Sequence, residues 1–159
     1  MAPFSDDPCR LLELVNVATF ERIGESADFV TAACVTYDPA SGTLRAGSAG
    51  HPPPLRLDTG AELRIPGGGR ALGLASTVGC TAVTDELAPG EGILLYTDGL
   101  IEARGETTRY GVERTAEAIR AGTRATPHDL VSHVISDVRS FAGERLTDDI
   151  CLVALRSRD

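Results

Sequence analysis

The chain has 159 residues, of which 42% are hydrophobic and 24% are charged, and its formal net charge is −8. This length and composition indicate one globular domain, residues 1–159, that is long enough to bury a core. The acidic balance disfavours partners such as nucleic acid, which require a basic surface, and also an anionic membrane surface. Because the sequence shows no leader and no apolar run of about 20 residues, we predict a cytoplasmic protein.

The first predicted helix begins after Asp7, which suits the N-cap position, with Pro8 in the first turn. Gly24 is predicted to end this helix. Apolar residues recur between them at helical spacing and predict one apolar stripe; they are Leu11, Leu12, Val15 and Ala18.

Two strands follow and form a predicted β-hairpin. Residues 29–37 are β-branched, small or aromatic, and residues 43–49 return after the turn sequence Asp-Pro-Ala-Ser-Gly. The next segment, residues 50–54, contains three prolines, which remove ladder donors and predict a loop or sheet edge. His51 in this loop has two interpretations, the phosphate-side wall of a site or a hydrogen-bonded residue that holds the loop. The second interpretation is the simpler one.

Three more strands are predicted at residues 55–57, 62–65 and 78–87. Gly67-Gly68-Gly69 is followed by Arg70, but it lacks the Gly-Lys-Ser/Thr ending of a phosphate-binding loop. We therefore predict a flexible loop there. The guanidinium of Arg70 could still bind two phosphate oxygens at once.

The most informative strand is Ile93–Tyr96, which is apolar throughout and predicts burial on both faces. Thr97, Asp98 and Gly99 follow it. A carboxylate at the end of a buried strand costs free energy unless a positive group meets it. The first interpretation of Asp98 is therefore a carboxylate that meets a positive group. The second is that Asp98-Gly99 forms a two-residue hairpin turn, a common use of this dipeptide, and on this segment alone the two interpretations are about even.

Two helices and a final strand complete the predicted order. The first helix covers residues 109–120, and the second begins at Thr126, whose side chain can form a capping box with Asp129. Asp148 and Asp149 then open the last apolar strand. The order of helices and strands indicates an α+β fold.

The last strand can pair antiparallel with Ile93–Tyr96, which would bring Asp98, Asp148 and Asp149 to one rim of the sheet. Close carboxylates repel each other unless a cation neutralises them. Ligands that are all oxygen suit Mg²⁺ or Mn²⁺ better than zinc or copper. We therefore predict a metal site at these three aspartates.

The four cysteines are widely separated, and no Cys-x-x-Cys pair indicates a zinc site. Each one lies among apolar or small residues, which predicts buried free thiols in a reducing compartment; they are Cys9, Cys34, Cys80 and Cys151.

Four motifs, in order along nearly the whole chain, resemble the metal-dependent Ser/Thr protein phosphatases (the PPM, or phosphatase 2C-like, family) in their bacterial SpoIIE-like branch. The matching segments are AGHPPPL at 49–55, LGL at 72–74, LYTDGLIEAR at 95–104 and TDDI at 147–150. The helix around Pro8, Leu11, Leu12 and Asn16 also resembles that branch. The Gly-Asp strand pair at the start of the family pattern has no match, so we expect a domain that is incomplete at its N-terminus.

The resemblance implies an antiparallel β-sandwich flanked by helices and hydrolysis of phosphoserine or phosphothreonine on a protein by a metal-activated water. It implies two Mg²⁺ or Mn²⁺ ions in the complete domain, and one or none in this chain. Asp98 and Asp148 would be ligands, supported by Asp149, and no side-chain nucleophile is expected. The implied substrate is a phosphorylated anti-sigma antagonist, with a sensor domain upstream. This chain alone is expected to be a weak or inactive enzyme; the alternative is a catalytically inactive binding module.

A sheet without its first strands would also expose an unpaired edge and an uncovered apolar face. We therefore predict that the chain self-associates as a two-fold dimer through these surfaces.

Overall fold

The computed structural model describes residues 7–23, 28–122 and 125–158. Its elements confirm the predicted α+β class with antiparallel sheets. They are α1 (Pro8–Ile23), β1 (Ala32–Asp38), β2 (Thr43–Ala49), β3 (Leu55–Arg56), β4 (Val83–Glu86), β5 (Gly92–Tyr96), α2 (Asp98–Glu102), α3 (Gly111–Ala121), α4 (Pro127–Ala142), a 3-10 turn (Gly143–Arg145) and β6 (Leu152–Arg156). Within the described residues, none of the helices has the length and apolar character needed to cross a membrane.

The chain divides into two compact units, one of Met1–Pro53 with Arg64–Ala88 and the other of Pro54–Leu63 with Pro89–Asp159. The first unit holds an antiparallel sheet in the order β1-β2-β4. Its β1–β2 hairpin confirms the prediction, with Ala32 opposite Ala49 and Asp38 opposite Thr43. The Asp38 side chain closes the turn by accepting a hydrogen bond from the Ala40 backbone N–H at 2.9 Å.

Helix α1 packs on this first sheet and begins as predicted. The Asp7 carboxylate accepts a hydrogen bond from the backbone N–H of Cys9 at 2.9 Å, which confirms the N-cap. Asn16 is fully buried; it accepts from the Gly73 N–H at 2.9 Å and donates to the Ala75 carbonyl at 3.0 Å. These two bonds attach the middle of α1 to the loop that follows β3.

The apolar stripe predicted for α1 is only partly correct. Leu12 is buried, but Val15 and Ala18 are exposed, so the buried face lies on the side of Cys9, Leu12 and Asn16. Gly24, the predicted end of the helix, lies outside the described residues.

The prediction of buried free thiols is wrong for three of the four cysteines. Cys9 and Cys80 form a disulfide that joins α1 to the segment before β4, with their Cα atoms 5.4 Å apart. Cys34 is a half-buried free thiol, whereas Cys151 is a free but exposed one. The 71-residue separation of Cys9 and Cys80 hides their proximity in the sequence.

Two predicted strands are much shorter than expected. Residues 62–65 contribute a single bridge, from Glu62 to Leu55. Of residues 78–87, only Val83–Glu86 form a strand. The second difference comes from a residue distant in sequence: the Glu13 carboxylate accepts the backbone N–H groups of Val78 and Gly79 at 3.0 Å, so these donors have a partner outside a sheet.

The second unit holds the sheet β3-β5-β6, with β5 in its centre. The predicted double burial of β5 is confirmed, because Ile93 and Leu94 are fully buried and Tyr96 is 2% exposed. Helices α3 and α4 contribute Ile119, Leu130, Val134 and Val138 to the same core. Helix α4 begins with the predicted cap, since the Thr126 hydroxyl accepts from the Asp129 N–H at 3.2 Å.

Candidate functional site at the ends of two core strands

The candidate site lies where β5 ends and β6 begins, all within the second unit. The two strands pair antiparallel, with Tyr96 opposite Leu152, as the sequence predicted. The pairing continues beyond the strands because the Thr97 backbone N–H donates to the Cys151 carbonyl at 3.1 Å. The Thr97 hydroxyl accepts from the Cys151 N–H at 3.0 Å and donates to the Asp149 carbonyl at 3.1 Å. One side chain therefore fixes the positions of both acidic segments.

Asp98 begins the short helix α2, so the alternative interpretation of Asp98-Gly99 as a hairpin turn is wrong. The Leu100 N–H donates to the Thr97 carbonyl at 3.0 Å, and Leu100 itself is fully buried in the core. Burial of this leucine favours the helical turn, because a hairpin would carry the chain away from the core.

Gly99 is the point at which the two acidic segments touch. A Cβ atom added to Gly99 would lie 2.5 Å from the Asp149 carbonyl oxygen and 3.4 Å from the Asp148 Cβ. A residue with a side chain would push the segments apart. The structure thus places the backbone beside Asp98 directly against the Asp148-Asp149 pair, at one rim of the sheet.

The three predicted ligands are all exposed side chains. One oxygen of Asp98 accepts the Gly99 N–H at 3.1 Å, and one oxygen of Asp148 accepts the Asp149 N–H at 2.8 Å. In the described parts of the chain, none of the ion pairs involves Asp98, Asp148 or Asp149. Their charge is therefore available to a cation.

The donor chemistry fits a hard cation, since carboxylate oxygens are the ligands that Mg²⁺ and Mn²⁺ prefer. The number of donors is small, however. Across the described residues, His, Cys, Asp and Glu side chains form no group of three or more that could hold an ion. Because Mg²⁺ takes about six oxygen ligands, the three aspartates could supply only part of the coordination shell of one ion, and water would have to supply the rest.

A cleft of about 600 Å³ adjoins the acidic rim and includes Thr147, the residue before Asp148. Three arginines line it: Arg104, Arg109 and Arg145. Arg109 forms an ion pair with Glu102 at 2.7 Å, and Arg145 forms one with Glu106 at 3.7 Å. Guanidinium groups bind phosphate oxygens in pairs. The sequence pattern does not reveal this cleft, although Arg104 ends the same motif that contains Asp98.

The other predicted candidates, His51 and the Gly67–Gly69 loop, lie in the first unit. The Nδ1 atom of His51 is 3.1 Å from the Thr31 hydroxyl, and the His51 N–H donates to the Ser48 hydroxyl at 3.0 Å. These contacts favour the interpretation of His51 as a residue that holds the proline-rich loop. The glycines of Gly67–Gly69 all have positive φ, which explains the residue type without a ligand.

Comparisons with known proteins identify the family of the chain. The model of the family described as Stage II sporulation protein E (SpoIIE) matches residues 1–158. Protein IcfG of Synechocystis sp. is 28% identical over 153 residues, which cover 91% of this chain and 23% of that protein. The chain therefore spans less than a quarter of this curated relative.

Solved structures share the fold. The crystal structure of the RsbU and RsbW domains of Rv1364c from Mycobacterium tuberculosis matches with a TM-score of 0.78 and 27% identity, covering 99% of this chain and 43% of that one. The SiaA-PP2C domain of Pseudomonas aeruginosa matches with a TM-score of 0.82 and 24% identity, covering 98% of this chain and 63% of that one. The family match includes nearly every residue and both acidic segments, and it shows that this chain belongs to the SpoIIE family of PP2C-type phosphatase domains.

Proposed function

We propose that the chain is part of a protein serine/threonine phosphatase of bacterial signalling, with a substrate of the phosphorylated anti-sigma antagonist type. The observation that carries this proposal is the contact of Gly99 with the Asp148-Asp149 pair, which joins the two acidic motifs at one rim. Family membership supports the class of reaction. An upstream sensor domain and a cytoplasmic location belong to the same proposal.

Asp98 and Asp148 would hold the cation, and Asp149 would support them from beside the Thr97 hydroxyl. When bound, Mg²⁺ or Mn²⁺ supplies positive charge that polarises phosphoryl oxygens and lowers the pKa of a water molecule. The residues of this chain contribute fixed carboxylates at the rim and guanidinium groups in the adjoining cleft. Arg104 and Arg109 would orient a phosphoryl group or the acidic residues that flank it.

A second candidate function is a phosphatase-like binding module without turnover. The small number of carboxylates at the rim favours it, because two ions held about 3.5–4 Å apart need more ligands than three aspartates provide. Such a module would keep the arginine cleft and bind a phosphoprotein. The proposal for this chain alone is accordingly a weak or inactive phosphatase.

Turnover of a phosphothreonine peptide and of an aryl phosphate with Mn²⁺ tests these proposals. This chain would be measured beside a version that carries additional upstream sequence. We expect the extended protein to be at least about a hundredfold faster, because positioned ions supply most of the rate. Equal rates would contradict the proposed weakness of the present chain. No turnover by either protein, together with peptide binding by both, would instead identify the binding module.

A further inference from the structure

Three of the four cysteines belong to the first unit, and they lie close to one residue of strand β2. This residue is Gly47, on which an added Cβ atom would lie 2.8 Å from the sulfur atoms of both Cys9 and Cys80. The Cys9–Cys80 disulfide therefore occupies the space that a side chain at position 47 would fill.

The register of the β1–β2 hairpin places a third sulfur atom beside this disulfide. Cys34 of β1 lies directly opposite Gly47 of β2. Residues that are opposite each other in an antiparallel pair point to the same face of the sheet, with Cβ positions about 5 Å apart. Cys34 and Cys80 also pack against the same apolar cluster, whose buried members are Leu12, Ala49, Leu72 and Val78. A free thiol and a disulfide thus share the face of the sheet on which α1 packs.

We propose that these three cysteines form a thiol–disulfide exchange site, in which Cys34 displaces Cys9 from its bond with Cys80. The Cys34 thiol gives up its proton, and the thiolate attacks the Sγ atom of Cys80. The Cys9–Cys80 bond breaks as the Cys34–Cys80 bond forms, and Cys9 leaves as a thiolate that takes up a proton. The protein holds one disulfide before and after this step, so the step needs no oxidant.

The oxidant that first forms the Cys9–Cys80 bond is a low-molecular-weight disulfide of the glutathione type. It accepts two electrons and two protons from the two cysteine thiols and leaves as two thiols. Burial raises the pKa of the Cys34 thiol, so that near neutral pH this thiol is protonated and attacks slowly. The Cys9–Cys80 bond is therefore the resting form of the oxidised site.

Two observations identify Cys80 as the sulfur atom that is attacked and Cys9 as the one that leaves. Cys80 is half-buried and shares its neighbours with Cys34, whereas Cys9 is only 8% exposed. Cys9 also lies in the first turn of α1, where the helix dipole stabilises a thiolate, and a stabilised thiolate leaves faster. The Asp7 carboxylate, which accepts the Cys9 N–H, offsets part of this benefit.

The exchange changes how α1 is attached to the first sheet. In the resting form, the disulfide and the hydrogen bonds of Glu13 and Asn16 all join the helix to residues 73–80. Transfer of the disulfide to Cys34 leaves only the hydrogen bonds and releases the amino-terminal turn of α1. Disulfides in reducing compartments are usually transient and are used in catalysis or redox sensing. The site makes the attachment of α1 depend on redox state, and this inference does not rest on phosphatase activity.

Disulfide mapping of the wild-type chain tests the exchange step. The oxidised protein is incubated without added thiol at about pH 8.5, quenched with acid, alkylated with N-ethylmaleimide under denaturing conditions, and digested for mass spectrometry. We expect at least about 5% of the chains to carry a Cys34–Cys80 bond together with an alkylated Cys9. Cys34→Ser is the matched control and should show no alkylated Cys9. A wild-type chain without the Cys34–Cys80 bond after about one day, or equal alkylation of Cys9 in both proteins, would overturn the proposal.

The Cys9→Ser variant tests whether Cys34 and Cys80 can reach each other. Oxidised glutathione should produce a Cys34–Cys80 disulfide in this variant, because a mixed disulfide at either thiol is resolved by the other. The Cys9→Ser/Cys34→Ser variant is the control and should stop at a mixed disulfide of Cys80 with glutathione. Circular dichroism reports that both variants keep the fold. Accumulation of mixed disulfides in Cys9→Ser without the Cys34–Cys80 bond, or pairing of Cys80 with Cys151 as readily as with Cys34, would overturn the proposal.

Discussion

The side-chain hydroxyl of Thr97 lies 3.1 Å from the backbone carbonyl oxygen of Asp149, to which it donates a hydrogen bond across 52 residues of sequence. The same hydroxyl accepts the N–H of Cys151 at 3.0 Å. Asp98 follows Thr97 directly, and Asp148 precedes Asp149. One threonine side chain therefore links the two acidic motifs, in addition to the backbone pairing of β5 with β6.

Thr97→Val should uncouple the two acidic segments. The variant keeps the shape of the side chain but removes both hydrogen bonds, which we expect to lower the free energy of unfolding by about 1–3 kcal/mol. It should also weaken Mn²⁺ binding several-fold, because the ligands lose their fixed separation. Thr97→Ser keeps the hydroxyl and is the control. Urea denaturation and Mn²⁺ titration check both effects, and a Thr97→Val variant with wild-type Mn²⁺ affinity would show that Thr97 does not position the site.

Arg104→Ala should weaken binding of a phosphothreonine peptide while leaving the unphosphorylated peptide unaffected. Arg104 lines the cleft next to Thr147, and loss of one charge-assisted contact to phosphate costs about 1.5–3 kcal/mol. Fluorescence anisotropy of a labelled peptide measures this loss without requiring turnover. Arg22→Ala, which changes an exposed arginine of α1, is the matched control. An equal effect of the two replacements would mean that only net charge matters and that the cleft is not a binding site.

Reduction of the Cys9–Cys80 disulfide should destabilise the first unit. The bond closes a loop of 71 residues, and loss of such a cross-link typically lowers the free energy of unfolding by about 2–4 kcal/mol. Urea denaturation with and without dithiothreitol measures the difference. The Cys9→Ser/Cys80→Ser double variant should match the reduced wild type and should not respond to reductant, whereas Cys34→Ser should behave as the wild type does. If dithiothreitol lowered the stability of the double variant as much as that of the wild type, the effect would not come from the Cys9–Cys80 disulfide.

Alkaline pH should destabilise the second unit through two buried tyrosines. Burial raises the pKa of Tyr96 to about 12, and the Glu62 carboxylate adds to this rise. Burial and the hydrogen bond that the Tyr110 hydroxyl donates to Asp137 at 2.6 Å raise the pKa of Tyr110 as well. Because both folded-state pKa values lie above the ordinary value of 10.0, the stabilisation is complete below pH 10 and is lost as the pH rises through them.

The urea concentration at the midpoint of unfolding should therefore decrease as the pH is raised from about 10 to about 12. In the folded protein, tyrosinate absorbance should show that two of the three tyrosines, Tyr96 and Tyr110, ionise above their ordinary pKa. Tyr110→Phe should reduce the slope of stability against pH. A midpoint that stays constant over this range would contradict the assignment.

Much of the fold follows from local pattern. The apolar run Ile93–Tyr96 predicts the buried strand β5, and the residues Thr126, Pro127 and Asp129 predict where α4 begins. The antiparallel pairing of β5 and β6 also followed from the sequence, and with it the approach of the Asp98 segment to Asp148. These features depend on residues that are close in sequence or on a strong hydrophobic run.

The features that the sequence could not predict depend on distant partners. The helical spacing in α1 does not reveal which face is buried, because Leu12 on one side and Leu14 on the other are equally apolar. Glu13 binds the N–H groups of Val78 and Gly79 across more than 60 residues, which removes them from the predicted strand. The disulfide and the arginine cleft likewise join segments whose proximity appears only in the folded chain.

Mn²⁺ titration by isothermal calorimetry tests most directly whether the acidic rim is a metal site. We predict that the wild-type chain binds about one equivalent of Mn²⁺ and that Asp98→Asn and Asp148→Asn each weaken binding at least about tenfold, because each removes a charged ligand. Asp28→Asn, at an exposed aspartate of the first unit, should bind as the wild type does. Equal Mn²⁺ affinity in the wild type, Asp98→Asn and Asp148→Asn would contradict the account, because the two acidic motifs would then meet without forming a metal site.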